Sequence, residues 1–370
     1  MAGQRKAFKD WFDADAAGAM AAQLAAVVPR FARKRFVKLA TEGLDTLEFN
    51  GRVKRFSEAM AATLPSDIPE ALAMVTASLP PPLPDCDSVT DGWLQWPVGQ
   101  FIADYGLAHF DDSMAAMVAL TQRFSSEFAV RPFVQHYPRQ TFAFLHRLTG
   151  DDSPHVRRWC SEGVRPRLPW GKKLQFLIAD PAPIMPIINA LKDDGELYVR
   201  RSVANTLNDI AKDHPALAVR QCQQWSKGAT PQRSWIIKNA LRTLIKDGDS
   251  QALSVVGFGP PKQIKAELAA TPAVVKIGGK TTLNATISTT ARQRQQLIVD
   301  YAVHYVRKNG TASPKVFKWT TLELPARGQV ELGKAHSLKV TTVRALYPGA
   351  HRVELQINGQ RCAQTSFELN

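Results

Sequence analysis

Over the first 260 residues the apolar positions recur at helical spacing. Residues three and four apart then share a face, which predicts a chain of amphipathic helices. Leu79-Pro80-Pro81-Pro82-Leu83-Pro84 interrupts the pattern, because a proline run cannot sustain helical hydrogen bonding. After Gly259-Pro260 the pattern changes to short runs rich in Val, Thr, Ile and Leu. These predict strands over Gln263–Leu268, Thr281–Ser288, Leu297–Arg307, Lys315–Leu324, His351–Gln356 and Ala363–Leu369. Turn residues at Lys308-Asn309-Gly310, Pro325-Ala326-Arg327-Gly328, Pro348-Gly349 and Asn358-Gly359 separate them. Strands at this spacing suggest a small immunoglobulin-like β-sandwich. The expected division is therefore 1–258 helical and 259–370 β.

The helical part contains a repeat. Asp151-Asp152-Ser153-Pro154-His155-Val156-Arg157-Arg158 lines up with Asp194-Gly195-Glu196-Leu197-Tyr198-Val199-Arg200-Arg201. A weaker third copy runs through Asn239, Leu241, Lys246 and Asp247, matching Asn205, Leu207, Lys212 and Asp213. Paired helices repeating at roughly 40 residues are the mark of a HEAT-like solenoid. The expected fold is thus mainly α, a HEAT-like superhelical solenoid followed by a small all-β sandwich.

On a helical wheel, Val156, Trp159, Cys160, Gly163 and Val164 fall on one side, and Arg158, Glu162 and Arg165 on the other. From Val199 onward, Val203, Leu207 and Ile210 continue the buried stripe, while Arg201, Asn205, Asn208, Asp209 and Lys212 lie opposite. Two such helices side by side would line a groove with guanidiniums and a few acids. Guanidiniums meet phosphate oxygens bidentately. Ion pairs within a helix account for the same residues: Arg158 is four residues from Glu162, and Asp209 three from Lys212. The segment Arg165–Lys173 adds Arg165, Arg167, Lys172 and Lys173 around Trp170, a mixture of cations and an aromatic that suits nucleic acid. A loop whose tryptophan caps a core would read the same way.

Charge sharpens the picture. The 370 residues hold 47 Lys and Arg against 33 Asp and Glu, a net of +14. Residues 261–370 hold 16 against 6, so less than a third of the length carries most of the excess. A polyanionic partner follows most simply. Residues 16–28 are the longest candidate signal region, but Asp10, Asp13 and Asp15 precede it where positive charge is needed, and it is too short to span a membrane. Cys86, Cys160, Cys222 and Cys362 lie far apart with no CxxC pair, so reduced thiols are expected. Gly278-Gly279-Lys280-Thr281 lacks the first glycine of a phosphate loop, and the eight histidines show no metal spacing. No metal and no organic cofactor is expected.

Val156–Trp170, Tyr198–Pro215 and Ser126–Phe133 resemble the signatures of the bacterial AlkC family of DNA alkylation-repair glycosylases. Weaker similarity covers Phe8–Phe12 and Trp96-Pro97, so the resemblance spans most of residues 1–250. It implies a HEAT-like solenoid, which in some members carries an immunoglobulin-like domain. It also implies hydrolysis of the N-glycosidic bond of cationic alkylated bases, chiefly 3-methyladenine, in duplex DNA. By that resemblance Glu127 and Glu162 are the expected acidic pair and Asp209 a third candidate. Trp170 is the expected lesion-stacking ring. Arg158, Arg165, Arg167 and Arg201 are expected to hold phosphates, with Lys172, Asn205, Asn208 and Lys212 as further DNA contacts. From the residues alone, Glu127 could equally be an acid placed favourably near a helix start. A monofunctional enzyme is expected, working as a monomer in the cytoplasm at the nucleoid, with no membrane partner. The alternative is a non-catalytic helical scaffold for DNA or an acidic protein.

Overall fold

The computed structural model describes residues 7–87, 91–340 and 345–370. It divides into two compact units, 1–213 and 214–370. Among the described residues the first holds helices and no strand, and successive helices pack on one another in the HEAT-like manner. Leu79–Pro84 is extended between the helices Ile68–Ala77 and Trp96–Tyr105, where the prolines require it.

The two Val-Arg-Arg copies form the helices Pro154–Glu162 and Leu197–Ala211, which lie side by side. Pro154 opens the first helix, where a missing N–H costs nothing. Val156, Trp159 and Cys160 are fully buried, as are Val199, Val203 and Leu207. The repeat itself has a structural cause. Arg157 donates to the carbonyls of Asp151 and Asp152, both at 2.9 Å. Arg200 does the same to Asp194 and Gly195 one repeat later. The first arginine of each pair thus ties down the turn ahead of its own helix. Arg157 also meets Asp194 through two hydrogen bonds, at 2.6 and 3.1 Å, linking successive repeats. The weaker third copy does not form one helix: it is split between Pro231–Ala240 and Arg242–Lys246.

In the second unit, the change from helix to strand falls between Val255 and Ile264. Eight strands follow: β1 (Ile264–Thr271), β2 (Val274–Val275), β3 (Lys280–Thr289), β4 (Gln295–Val306), β5 (Ala312–Leu324), β6 (Gln329–Ser337), β7 (Gly349–Ile357) and β8 (Gln360–Leu369). They make a three-stranded sheet, β1-β3-β6, and a five-stranded sheet, β2-β8-β7-β4-β5. Leu283, Ile287, Leu297, Val299, Val353, Leu355 and Phe367 fill the space between them. This is an immunoglobulin-like sandwich. The strand reading missed β2 and β6. Lys334 lies in β6 opposite Leu283.

The helices after residue 214 belong to the compact unit that holds the sandwich. Asn358 helps to join them. Its amide donates to the Gly259 carbonyl at 2.7 Å, and its oxygen accepts from the Ile298 N–H at 2.7 Å. Gly248 and Gly359 pass so closely that a Cβ on Gly359 would lie 2.5 Å from the Gly248 carbonyl oxygen. Cys86, Cys160, Cys222 and Cys362 are free thiols. Among the described residues no helix is long and apolar enough to cross a membrane.

Candidate active site

A chain of alternating charges runs through the first unit. Arg158 Nη1 lies 2.5 Å from Glu127 Oε2 and its Nη2 3.5 Å from Glu162 Oε1. Glu162 Oε1 also accepts from Arg165 Nη1 at 2.6 Å. Arg165 Nε then meets Asp209 Oδ2 at 2.9 Å, and Asp209 Oδ1 meets Lys212 Nζ at 3.0 Å. Three carboxylates from three segments are held by two buried or half-buried arginines and a surface lysine. Both ion pairs legible within single helices, Arg158 with Glu162 and Asp209 with Lys212, form. The longer-range pairs join them into one system.

Local packing makes this possible. Glu127 sits in the turn ahead of the helix Arg131–His136, and that turn presses on the end of the helix Pro154–Glu162. A Cβ on Gly163 would lie 2.6 Å from Val130 Cγ1, so only glycine allows the approach. Ser125 strengthens the contact, donating its hydroxyl to Glu127 at 2.8 Å and accepting from Arg158 at 2.8 Å. Arg158 lies 4.9 Å from the Tyr198 ring centroid, a cation–π contact from the neighbouring repeat.

Burial pushes the Glu162 carboxyl upward, but Arg158 and Arg165 outweigh it and hold the group below its ordinary value. Burial likewise disfavours charge on Arg158, and Glu127 and Glu162 more than restore it. Arg165 is held above its ordinary value in the same way by Glu162 and Asp209. Glu162 and its two arginines therefore stay ionised at neutral pH, with negative charge fixed in place before any ligand arrives.

One of these carboxylates is open. Glu127 lines a cavity of about 330 Å³ together with Arg158, Tyr198, His155, Phe128 and Trp170. Glu162 and Asp209 do not line it; they are 5% and 1% exposed. Burial lowers the His155 pKa, against an upward pull from a hydrogen bond to the Asp85 backbone, and Arg158 lowers it further. His155 is thus neutral at pH 7. Trp170 is 69% exposed, the largest bared aromatic among the described residues, so it does not cap a core. Its backbone has φ +66°, a left-handed conformation that a bulky residue adopts only when its surroundings impose it.

Arg131 imposes it. This guanidinium is 5% exposed and, among the described residues, meets no carboxylate within hydrogen-bonding distance. It donates instead to the carbonyls of Gly163 at 3.1 Å, Arg165 at 3.0 Å and Lys172 at 2.5 Å. Those carbonyls bracket the loop that carries Trp170. Burial pushes the Arg131 pKa down to about 10, so it remains charged. Nothing in the side-chain pattern signals this role, because its acceptors are main-chain oxygens. Tyr198, His155 and Ser125 were also not singled out.

Several expected phosphate ligands are placed otherwise. Arg158 and Arg165 are turned into the carboxylate cluster, since the buried Glu162 and Asp209 require internal cations. Arg167 grips Asp213 through two hydrogen bonds, at 2.8 and 2.7 Å. Asn208 is 2% exposed and sits inside the helix packing, out of reach of a surface ligand. Arg201, Lys172 and Lys212 are exposed, and Asn205 is half-buried. Arg158 and Arg201 hold equivalent positions in the repeat yet have different surroundings.

Comparison with known proteins agrees along the whole chain. Residues 265–370 match a family described as "Uncharacterised protein YhaZ, C-terminal Ig-like domain". The chain is 35% identical over 343 residues to the protein described as "Uncharacterized protein YhaZ" from Bacillus subtilis, covering 92% of this chain and 93% of that one. Among solved structures, it is similar to the Pseudomonas fluorescens alkylpurine DNA glycosylase AlkC bound to DNA containing an abasic site analogue. That match has a TM-score of 0.90 and 38% identity, covering 99% of this chain and 100% of that one.

Proposed function

We propose, from the premise that this chain belongs to the AlkC family of DNA glycosylases, that it removes cationic alkylated bases from duplex DNA, chiefly 3-methyladenine. The observation that carries this reading is a carboxylate, Glu127, that meets Arg158 and opens onto an aromatic cavity beside the exposed Trp170.

The chemistry asks for little acid catalysis. An alkylated purine already carries positive charge, so it leaves as a neutral base when the C1′–N bond breaks with both electrons going to nitrogen. The sugar becomes oxocarbenium-like, and a nearby carboxylate stabilises it. Water then adds to C1′, and Glu127 takes the proton that is released. Glu162 adds a second negative charge behind Arg158, and Asp209 fixes Arg165. Trp170 offers a π face to the cationic base. Arg201, Lys172 and Lys212 meet phosphates, with Asn205 as a further contact, and the basic sandwich contributes cations such as those at Arg307-Lys308-Asn309. No lysine is assigned as a covalent nucleophile, so the product is an abasic site without strand cleavage. The protein acts as a monomer in the bacterial cytoplasm, at the nucleoid.

The deciding experiment is release of free 3-methyladenine from methylated duplex DNA. Release by the wild type and none by the Glu127→Gln, Glu162→Gln double variant, with abasic-DNA binding kept, is expected. Undiminished release by the variant would overturn the site assignment. No release by the wild type would leave a DNA-binding scaffold instead.

A further inference from the structure

Trp170 borders two cavities. A second one, of about 410 Å³, shares Trp96, Phe128 and Trp170 with the cavity that Glu127 lines. Trp96 stacks with each of the other two rings. Trp96 and Phe128 stack with centroids 5.1 Å apart at 11°, and Trp96 and Trp170 with centroids 6.4 Å apart at 28°. The hydrogen bonds from Arg131 that fix the Trp170 loop run along this side, and Arg131 itself lines the second cavity.

The remaining walls differ in chemistry from the first cavity. Asn50 and Lys54 come from the helix Phe49–Ala61, Gln135 from the helix Arg131–His136, and Lys172 from the Trp170 loop. The Asn50 and Gln135 side chains are exposed and make no hydrogen bond among the described residues. Each offers a donor and an acceptor. Lys54 meets only Glu58, at 4.0 Å, and Lys172 makes no ion pair among the described residues. The one carboxylate here, Asp104, already accepts from Gln100 at 2.8 Å and Ser57 at 3.4 Å. A cationic base therefore suits the Glu127 side. The second side suits a neutral, flat, polar-edged group attached to an anion.

We propose that the second cavity is a subsite for an unmodified nucleotide of the same duplex. Its base packs against the exposed Trp170 ring beside the stacked Trp96 and Phe128, and the amides of Asn50 and Gln135 meet the base edge. Its phosphate lies against Lys54 and Lys172. Trp170 then separates the lesion from a normal nucleotide. Such a subsite stabilises the opened duplex without any role in bond cleavage. The inference rests on the glycosylase reading for the identity of the ligand, and its test is one of binding alone.

The test is a cycle between protein and DNA. Four duplexes carry an abasic-site analogue. Three of them also lack the base on its 5′ side, on its 3′ side, or opposite it. Affinities are measured at one fixed salt concentration, for the wild type and for the Asn50→Ala, Lys54→Ala, Gln135→Ala variant. All three positions are exposed, so the fold is expected to survive, which melting checks. Removing the base that occupies the subsite should weaken wild-type binding roughly tenfold in one of the three arms. That arm identifies the strand and side. The variant should bind the first duplex more weakly and be indifferent to the second missing base. Equal wild-type binding to all four duplexes overturns the subsite, as does a penalty of the same size in the variant. No binding to any duplex overturns the glycosylase reading along with it.

Discussion

In the helical unit Arg158 and Arg165 each lie between two carboxylates, whereas in the sandwich Lys276, Lys280, Lys308, Lys334 and Lys339 make no ion pair among the described residues. The first set is buried or half-buried; of the second, Lys334 is half-buried in β6 and the other four are exposed. The same kind of charge therefore does two jobs. Inside, arginine keeps the Glu162 carboxylate ionised where water would otherwise have to do so. Outside, lysine remains available for a polyanion. Counting cations in a sequence finds both groups and cannot separate them.

The sharpest way to break the comparison is to remove the open acid. Glu127→Gln should slow base release at saturating enzyme by roughly a hundredfold or more, while binding to abasic DNA stays within about threefold. Single-turnover release and equilibrium binding check the two halves. Equal loss in both would make Glu127 a DNA contact instead. Next in size is Arg165→Met, which strands Glu162 and Asp209 without their shared cation. It should cost about 3–5 kcal/mol in urea unfolding of the first unit. Lys339→Gln, at an exposed position, should move stability by no more than about 0.5 kcal/mol. Similar losses from these two would erase the distinction between inner and outer charge.

Much of the fold was legible because its causes are local. Val199, Val203 and Leu207 mark a buried stripe by spacing alone, and Leu79–Pro84 breaks a helix by covalent geometry. β6 escaped because Gly333 and Lys334 dilute an alternation whose inward residues, Val330 and Leu332, are only partly buried. In the site, the wheel placed Glu162, Asn208 and Asp209 on a polar face and hence at the surface. A wheel sees one helix, and these residues are covered by other segments. The turn at Ser125–Val130 supplies Glu127, which shares Arg158 with Glu162, and the loop after Gly163 brings Arg165 across to Asp209. Trp170 was legible as an aromatic among cations. Its fixed backbone was not, because Arg131 acts on main-chain carbonyls that every residue possesses.

The sandwich has one buried acid that lacks the support given to Glu162, and its titration tests the comparison from the other side. Burial raises the pKa of Asp300 in β4 to about 6, against smaller opposing pulls from Lys318 and Lys246. An acid raised in the folded state costs stability only when ionised. The cost is absent below its ordinary value of 3.8, grows between there and about 6, and is complete above that. Asp300→Asn should therefore stabilise the second unit by roughly 2–3 kcal/mol at pH 8 and by little at pH 4. For Glu162 the sign is opposite, since its arginines stabilise the ionised form: its contribution should be lost only as the pH falls through its depressed pKa. Unfolding at pH 4 and pH 8 distinguishes them.

The smallest expected effect concerns the outer lysines. If Lys308 on the β4–β5 hairpin meets a phosphate, Lys308→Gln should reduce the slope of log affinity against log salt by about 0.9, uniformly across DNA sequences. Base release from saturated complexes should not change. Applied one at a time to Lys276, Lys280, Lys334 and Lys339, the same measurement sorts contacts from solubilising charge. A slope that stays fixed through all five variants would mean that free cations in the sandwich are no nearer to DNA than the paired arginines of the helical unit.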